Sequence, residues 1–231
     1  MDKNSYIFDI NPKNWLRPFQ STSVWYVLKM GLFYHFLGLI LMYLGSNLAT
    51  SVISDYSTPQ IPVSVLLAIS AGFFEEAVFF GIPFYLSGNP LIVLGGGVVW
   101  SAAHLFNTGV VSIETLAYGG FLFSVPHIFF SLRTWSSGKG WFAIVFHSGW
   151  NFAFLMMYCG MGLRECSVFN EGMFDALNII MAVTTVFMVY LAYLRQVKKK
   201  YVNRFLYLIP VVVLLVGLVF LLEEEILSFL S

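Results

Sequence analysis

Residues 61–86 read IPVSVLLAISAGFFEEAVFFGIPFYL and decide the fold class. Apart from Glu75 and Glu76, this stretch holds no charged residue, and about 20 mostly apolar residues are enough for one helix to cross a bilayer. We therefore predict a transmembrane helix here. A charge near the middle of a membrane costs about 2.5–3.5 kcal/mol on insertion scales, so two adjacent glutamates in such a helix point to a function.

The rest of the chain has the same apolar character. Of its 231 residues, 58% are hydrophobic and 10% are charged, and the mean hydropathy is +0.80. Soluble domains carry about 25% charged residues, so most of this surface must face lipid, and the formal net charge of zero gives no sign of nucleic-acid binding. We predict an all-α polytopic membrane protein with a single membrane domain, 1–231. It has about seven transmembrane helices (six to eight), at 24–46, 61–86, 90–108, 113–132, 140–160, 174–194 and 204–222.

Lysine and arginine residues in the loops set the predicted orientation. With the N-terminus inside, the inner loops hold all of these loop residues, among them Arg133, except Arg164. We therefore predict a multi-pass protein of the cell membrane, with a cytoplasmic N-terminus and the C-terminus outside. Residues 1–23 mix charged and aromatic side chains, which is typical of an interfacial segment on the inner leaflet or of an ordinary aromatic belt at the membrane boundary. The belt is the favoured interpretation of the aromatic residues.

The glutamate pair is the first candidate for chemistry. Glu75 and Glu76 are adjacent, so they point about 100° apart on a helix, and one can face a cavity while the other packs against a neighbour. Two ionised carboxylates this close in a low dielectric are unfavourable, so we expect one to hold a proton or both to be relieved by donors. A positioned carboxylate suits general-base catalysis. A packing or ion-coupling pair without catalysis is the alternative.

Two further motifs place histidines in predicted spans. Trp100 and His104 are one turn apart in the third span, and His147 and Asn151 are one turn apart in the fifth. Each pair therefore shares a helix face. A histidine and an amide on one face can both donate hydrogen bonds to a single oxygen, which is what an oxyanion site requires.

The depths of these residues differ when each predicted span is counted from its inner end. At 1.5 Å per residue, Glu75 lies about 16 Å deep, His147 about 10 Å and His104 about 21 Å. A tilt of about 20°, or a third helix broken at the glycine run 95–97, would bring them together.

The remaining histidines and the cysteines carry weaker signals. His35 and His127 have only aromatic or aliphatic neighbours in the sequence, and we expect them to be packing or hydrogen-bonding residues. Cys159 and Cys166 lie near one predicted helix end, where a disulfide is possible. No zinc-type cysteine spacing is present.

The order Glu-Glu, Trp-xxx-His, His-xxx-Asn resembles the CPBP family, which comprises the CAAX prenyl proteases and the bacteriocin-processing proteins also called Abi. The family motifs are EExxxR, FxxxH and HxxxN or HxxxD, and the resemblance covers about residues 65–155 as a four-helix catalytic core. Trp100 stands in place of the phenylalanine of the second motif. Phe80 stands in place of the arginine of the first, where an arginine would help to hold a carboxylate ionised.

The resemblance implies a role for each motif residue. Glu75 would activate a water molecule, assisted by His104, and Glu76 would support the site. His147 and Asn151 would stabilise the oxyanion of the tetrahedral intermediate. The family has been described both with and without a metal. We predict chemistry with no cofactor and no metal, because the motifs offer no compact three-ligand cluster and an amide such as Asn151 is a poor zinc ligand, although a zinc-dependent version with glutamate and histidine ligands stays open.

The implied function is an intramembrane endopeptidase that hydrolyses a peptide bond of a lipidated or membrane-associated protein or peptide. Its partners would be membrane lipids and that substrate, with no nucleic acid. Phe80 favours a different interpretation, a weak or inactive family member that binds membrane partners, as in bacteriocin immunity or scaffolding. A small ion-coupled transporter that uses the glutamate pair is a second alternative. Inverted repeats would favour a transporter, and the sequence shows none.

Overall fold

The computed structural model describes residues 3–52, 63–103, 120–160 and 166–167, and a discontinuous set between 180 and 216. Within these residues the regular structure is helical, apart from a two-residue parallel pairing of β1 with β2. This agrees with the predicted all-α class. The elements are α1 Lys3–Ile10, α2 Val24–Val52, β1 Val63–Ser64, α3 Val65–Glu75, a π-helical segment Glu76–Gly81, α4 Ile82–Ser87, α5 Pro90–Ala103, α6 Gly120–Ser136, α7 Gly140–Gly160, β2 Cys166–Ser167, and short 3-10 turns at Pro12–Asn14 and Arg204–Leu208.

Two stretches of the described helices are long and apolar enough to cross a membrane. They are Val24–Gly45, and Ala68–Ser87, which runs from α3 through the π-helical segment into α4. Large apolar side chains of α2, among them Trp25 and Phe36, point outward, as expected of a surface in contact with lipid. These two helices correspond to the predicted spans 24–46 and 61–86. The bounds of α7 coincide with the predicted span 140–160. The predicted spans 90–108, 113–132, 174–194 and 204–222 lie partly outside the described residues.

The π-helical segment begins at Glu76 and ends at Gly81. Such turns are rare and occur often at functional sites. Pro83, two residues further on, lacks a backbone N–H, so it cannot bond the Phe79 carbonyl in the α-helical manner. Gly96 of α5 lies against that carbonyl, where an added Cβ would be only 2.0 Å from the oxygen. The helix α5 runs unbroken through the glycine run, which therefore serves close packing against the segment that carries Glu76 rather than a helix break.

Helices α3 and α7 pack closely just before the glutamate pair. A Cβ added to Gly72 would lie 2.9 Å from the backbone of Ser148. The Ser148 hydroxyl donates to the Ile69 carbonyl at 2.6 Å, and the Asn151 amide donates to the Ala68 carbonyl at 3.2 Å. Small residues and side-chain hydrogen bonds of this kind hold helices together within membranes. They set α7 against α3 at the level of the site.

The N-terminal segment folds against α2 and α6. Asp9 and Arg133 form a fully buried ion pair at 2.6 Å, and the Arg133 guanidinium also donates to the Tyr34 hydroxyl at 2.9 Å and lies 4.3 Å from the centroid of the Phe19 ring. The hydroxyl of Tyr26 donates to the Asp9 carboxylate. Arg133 was predicted to be a loop charge, and this was wrong, because α6 extends to Ser136 and the guanidinium is buried against the N-terminal segment and Tyr34.

Candidate active site

Five neighbouring elements supply the side chains of the site. Glu75 ends α3, Glu76 opens the π-helical segment, Trp100 lies on α5, His127 on α6 and His147 on α7. The ring centroids of His127 and His147 are 4.3 Å apart, and those of Trp100 and His127 are 5.0 Å apart. Polar groups from well-separated parts of the chain therefore meet at one place inside an apolar bundle.

Glu75 is the accessible carboxylate of the pair. Its side chain is 22% exposed, and its Oε2 accepts a hydrogen bond from the Trp100 indole at 2.7 Å. The Nε2 atom of His147 lies 3.8 Å from the same oxygen. Trp100 occupies the position that is phenylalanine in the family motif, and its indole N–H is a donor that phenylalanine lacks. The site thus contains a carboxylate that is held by a donor and can still be reached by a water molecule, as a general base requires.

Glu76 is the buried carboxylate of the pair, with no exposed surface. Its Oε1 accepts a hydrogen bond from the Ser131 hydroxyl at 2.6 Å and lies 2.6 Å from Nε2 of His127. Its Oε2 accepts a hydrogen bond from the Trp135 indole at 3.1 Å. A buried charge needs partners of this kind. The structure therefore gives Glu76 the surroundings of a residue that supports the site and has no contact with bulk solvent.

His147 lies between the two carboxylates. Its Nδ1 is 3.4 Å from Oε1 of Glu76, and its Nε2 is 3.8 Å from Oε2 of Glu75. Both distances exceed those of ordinary hydrogen bonds, and the buried Nδ1 has no hydrogen-bond partner among the described residues. The imidazole is thus held mainly by packing and is hydrogen-bonded to neither carboxylate.

His35 and His127 extend the site further than the sequence predicted. Nδ1 of His127 lies 3.0 Å from Nε2 of His35, and Nδ1 of His35 lies 2.8 Å from the Gly31 carbonyl on α2. Both are hydrogen-bonding residues, as expected, but the series of hydrogen bonds that they form ends at the Glu76 carboxylate. One feature of the sequence could have indicated that His127 contacts this site. His127 and Ser131 are four residues apart on one face of an apolar helix, so a shared polar partner on another helix is needed.

The other predicted site residues stand apart from this cluster. His104 lies outside the described residues, which end at Ala103 on α5. The Asn151 amide donates to the Ala68 carbonyl at 3.2 Å and so ties α7 to α3. An amide nitrogen carries two hydrogens, so one is left for an oxyanion, and this role of Asn151 stays a prediction.

Phe80 fills the place of the arginine in the family motif. Its side chain is fully buried, and its ring centroid lies 5.7 Å from that of Trp100 and 5.9 Å from that of His127. An apolar ring therefore packs against the aromatic wall of the site at the position where the motif has a cation.

Glu76, His127 and His147 could hold a metal ion, because one ligand atom from each lies within 4.8 Å of the others. One carboxylate and two imidazoles are a donor set that suits a catalytic zinc. The 2.6 Å between Glu76 and His127 is a hydrogen-bond distance, whereas two ligands of a tetrahedral zinc lie about 3.3 Å apart. The cluster is therefore arranged as a hydrogen-bonded group, and a metal would have to separate this pair.

An open apolar groove of about 370 Å³ lies against α3 and α7, the helices that carry Glu75 and His147. Phe73 forms part of its wall and precedes Glu75 by two residues, so the two side chains point about 200° apart and the groove lies on a different face of α3 from Glu75. Its lining is aromatic and aliphatic: Phe73, Trp141, Val145, Val186, Tyr190 and Tyr193.

Comparison with known proteins gives one match. Residues 57–153 match the model of the family described as type II CAAX prenyl endopeptidase Rce1-like. The matched segment contains the glutamate pair and both histidine motifs, which confirms the family that the motifs indicate. The family is one of membrane-embedded proteases. No curated protein and no solved structure was found to match the chain.

Proposed function

Because residues 57–153 belong to the Rce1-like family of type II CAAX prenyl endopeptidases, we propose that this protein is an intramembrane endopeptidase in which Glu75 activates the attacking water. The environment of Glu75 carries the proposal. Its carboxylate is partly exposed, accepts a hydrogen bond from Trp100 at 2.7 Å, and has the His147 imidazole 3.8 Å away. A base beside a hydrogen-bond donor is the combination that peptide hydrolysis needs.

The proposed reaction is a hydrolysis with Glu75 as base and then as acid. Glu75 takes a proton from water as the water oxygen attacks the scissile carbonyl carbon. His147, with Asn151 as a second donor, stabilises the negative oxygen of the intermediate. The C–N bond then breaks, and the leaving nitrogen takes the proton from Glu75, which gives one carboxylate and one amine. His104 assists the base, and Glu76 keeps His147 in place.

The arrangement in the membrane is part of the proposal. The segment of about 65–155, from α3 to α7, forms the four-helix catalytic core of a single membrane domain with about seven spans. The N-terminus is cytoplasmic, residues 1–23 lie at the inner interface, and the C-terminus is outside. The substrate is lipidated or membrane-associated, and the apolar groove that contains Phe73 takes its apolar part. The groove supports this because it is lined by apolar and aromatic groups, three of them on the helices that carry Glu75 and His147.

Phe80 favours a second candidate function, that of a weak or inactive family member that binds membrane partners. The two candidates make opposite predictions for the purified protein, because only the enzyme cleaves peptides. The ion-coupled transporter has no specific contact in its favour within the described residues.

The test is cleavage of prenylated and unprenylated peptides by the purified protein in detergent. Glu75→Gln, His104→Ala and His147→Ala should each abolish cleavage, and Lys200→Gln, a change at an exposed charge, should leave it intact. Full activity of Glu75→Gln would refute the proposed base. Loss of activity with a chelator, restored by zinc, would replace the metal-free mechanism. A wild-type protein that cleaves none of the peptides yet captures membrane proteins would favour the binding candidate.

A further inference from the structure

Three hydrogen bonds in series connect Glu76 to the first long helix. They run from Oε1 of Glu76 to Nε2 of His127 at 2.6 Å, from Nδ1 of His127 to Nε2 of His35 at 3.0 Å, and from Nδ1 of His35 to the Gly31 carbonyl at 2.8 Å. All three side chains are buried to 1% exposure or less. Bulk water therefore does not compete for these bonds.

The number of protons in this series follows from the bonds themselves. A carbonyl oxygen can only accept, so His35 carries a proton on Nδ1. The middle bond holds a second proton, on either His35 or His127, and the last bond holds a third, on His127 or on Glu76. Two neutral imidazoles supply one proton each and an ionised carboxylate supplies none. The series thus contains one proton in excess, whichever atoms carry it.

We infer that His35, His127 and Glu76 together hold one proton more than two neutral imidazoles and an ionised carboxylate, and so form an electrically neutral unit. Burying an uncompensated carboxylate is costly, and a buried partner of opposite charge must be well bonded to offset it. Here the histidine pair supplies that charge, in a chain where Phe80 stands in place of the motif arginine. His35 and His127 are therefore positioning residues for Glu76.

The other donors to Glu76 leave the proton count unchanged. Ser131 and Trp135 each donate a hydrogen of their own to the carboxylate. His147 faces the same carboxylate at 3.4 Å without a hydrogen bond. By fixing Glu76, the histidine pair also fixes the surface against which the His147 ring rests. The inference concerns the resting protein and does not depend on the proposed peptidase activity.

The proton count can be measured on the intact wild-type protein in lipid nanodiscs, with no substrate. Infrared difference spectra against Glu76→Gln detect a protonated carboxyl at Glu76, and ¹⁵N-histidine NMR detects an imidazolium, assigned through His35→Gln and His127→Gln. We expect one of these two signals, and we expect Glu76→Gln to remove it. An ionised Glu76 beside two neutral imidazoles would overturn the inference, as would stoichiometric zinc bound to His127.

A stability cycle tests the charge compensation separately. His127→Leu leaves the Glu76 carboxylate without its partner, so adding Glu76→Gln to His127→Leu should raise the melting temperature by several degrees. In the wild-type background the same Glu76→Gln change should lower it. Glu75→Gln added to His127→Leu is the control and should give no such rescue. Equal effects of Glu76→Gln in both backgrounds would overturn the compensation.

Discussion

Helix α6 carries two buried polar clusters that are built in opposite ways. Near its end, all three guanidinium nitrogens of Arg133 donate to oxygen atoms of the N-terminal segment and of Tyr34. Less than two turns earlier, His127 contacts Glu76, and the neighbouring His147 lies 3.4 and 3.8 Å from its nearest carboxylates. The saturated cluster uses four of the five N–H groups of Arg133 in hydrogen bonds, at least one from each nitrogen, and its role is to hold structure. The under-bonded cluster can still accept a substrate or a water molecule.

The largest effect should come from breaking the saturated cluster. Arg133→Leu leaves Asp9 buried without its partner, and removing one member of a buried pair lowers the free energy of unfolding by about 3–5 kcal/mol. Chemical unfolding in detergent measures this. The exposed Arg17 gives the matched control Arg17→Leu, which should change stability little. If the two variants were equally stable, the ion pair would not hold the N-terminal segment against α6 as the structure indicates.

In the under-bonded cluster, we expect a substitution to change the cleavage rate strongly and the stability of the protein little. Glu75→Gln should lower the cleavage rate by about 10²–10⁴-fold, the range expected for loss of a general base. Its melting temperature should stay the same or rise, since active-site charges are held at some expense of stability. Parallel melting curves and progress curves separate the two. A Glu75→Gln protein as unstable as Arg133→Leu would show that Glu75 holds structure.

The next largest effect should come from disturbing the packing of α5 against the π-helical segment that carries Glu76. Gly96→Ala places a Cβ against the Phe79 carbonyl, and overpacking of this kind lowers stability by about 1–3 kcal/mol. At Gly95 an added Cβ meets nothing within 4 Å, so Gly95→Ala should be neutral, or more stable by up to about 1 kcal/mol. Thermal unfolding of the two variants side by side decides the point. Equal stability would mean that α5 does not approach the π-helical segment so closely.

The smallest effect should come from the donor to Glu75. Trp100→Phe restores the phenylalanine of the family motif but removes a hydrogen bond to a carboxylate, a bond that contributes about 1.5–3 kcal/mol. Only part of this free energy stabilises the transition state of cleavage, so we expect a cleavage rate about tenfold lower. Trp25→Phe, on the exposed face of α2, should leave the rate unchanged. An undiminished rate in Trp100→Phe would mean that Glu75 is positioned without the indole.

The helical class could be predicted from composition, because so little charge cannot cover a surface in contact with water. The polar contacts between distant segments could not be predicted. Arg133 was read as a loop charge because its acid, Asp9, lies 124 residues away in the sequence. His127 and His35 are 92 residues apart, so each appears isolated among apolar neighbours. Local patterns show which side chains need a partner, and only the packing shows which partner they find.

The predicted site is brought together in part. Glu75 and His147 were placed about 6 Å apart in depth, at 1.5 Å per residue along upright helices, yet their side chains lie 3.8 Å apart. Close contact at Gly72 sets the two helices in register. The break suggested at the glycine run is absent, because α5 is continuous from Pro90 to Ala103. Counting residues along separate spans cannot foresee how far one helix slides past another.

The buried pair of Asp9 and Arg133 also determines which part of the chain can fold as a separate unit. The segment shared with the family begins at residue 57, but its Arg133 is neutralised, and its His127 is bonded, by residues that precede that point. A fragment cut at the limits of the family match would keep a buried cation without its counterion and an imidazole without its hydrogen-bond partner. The folding unit of this protein therefore includes the first two helices, and a transplanted core would need these two helices with it.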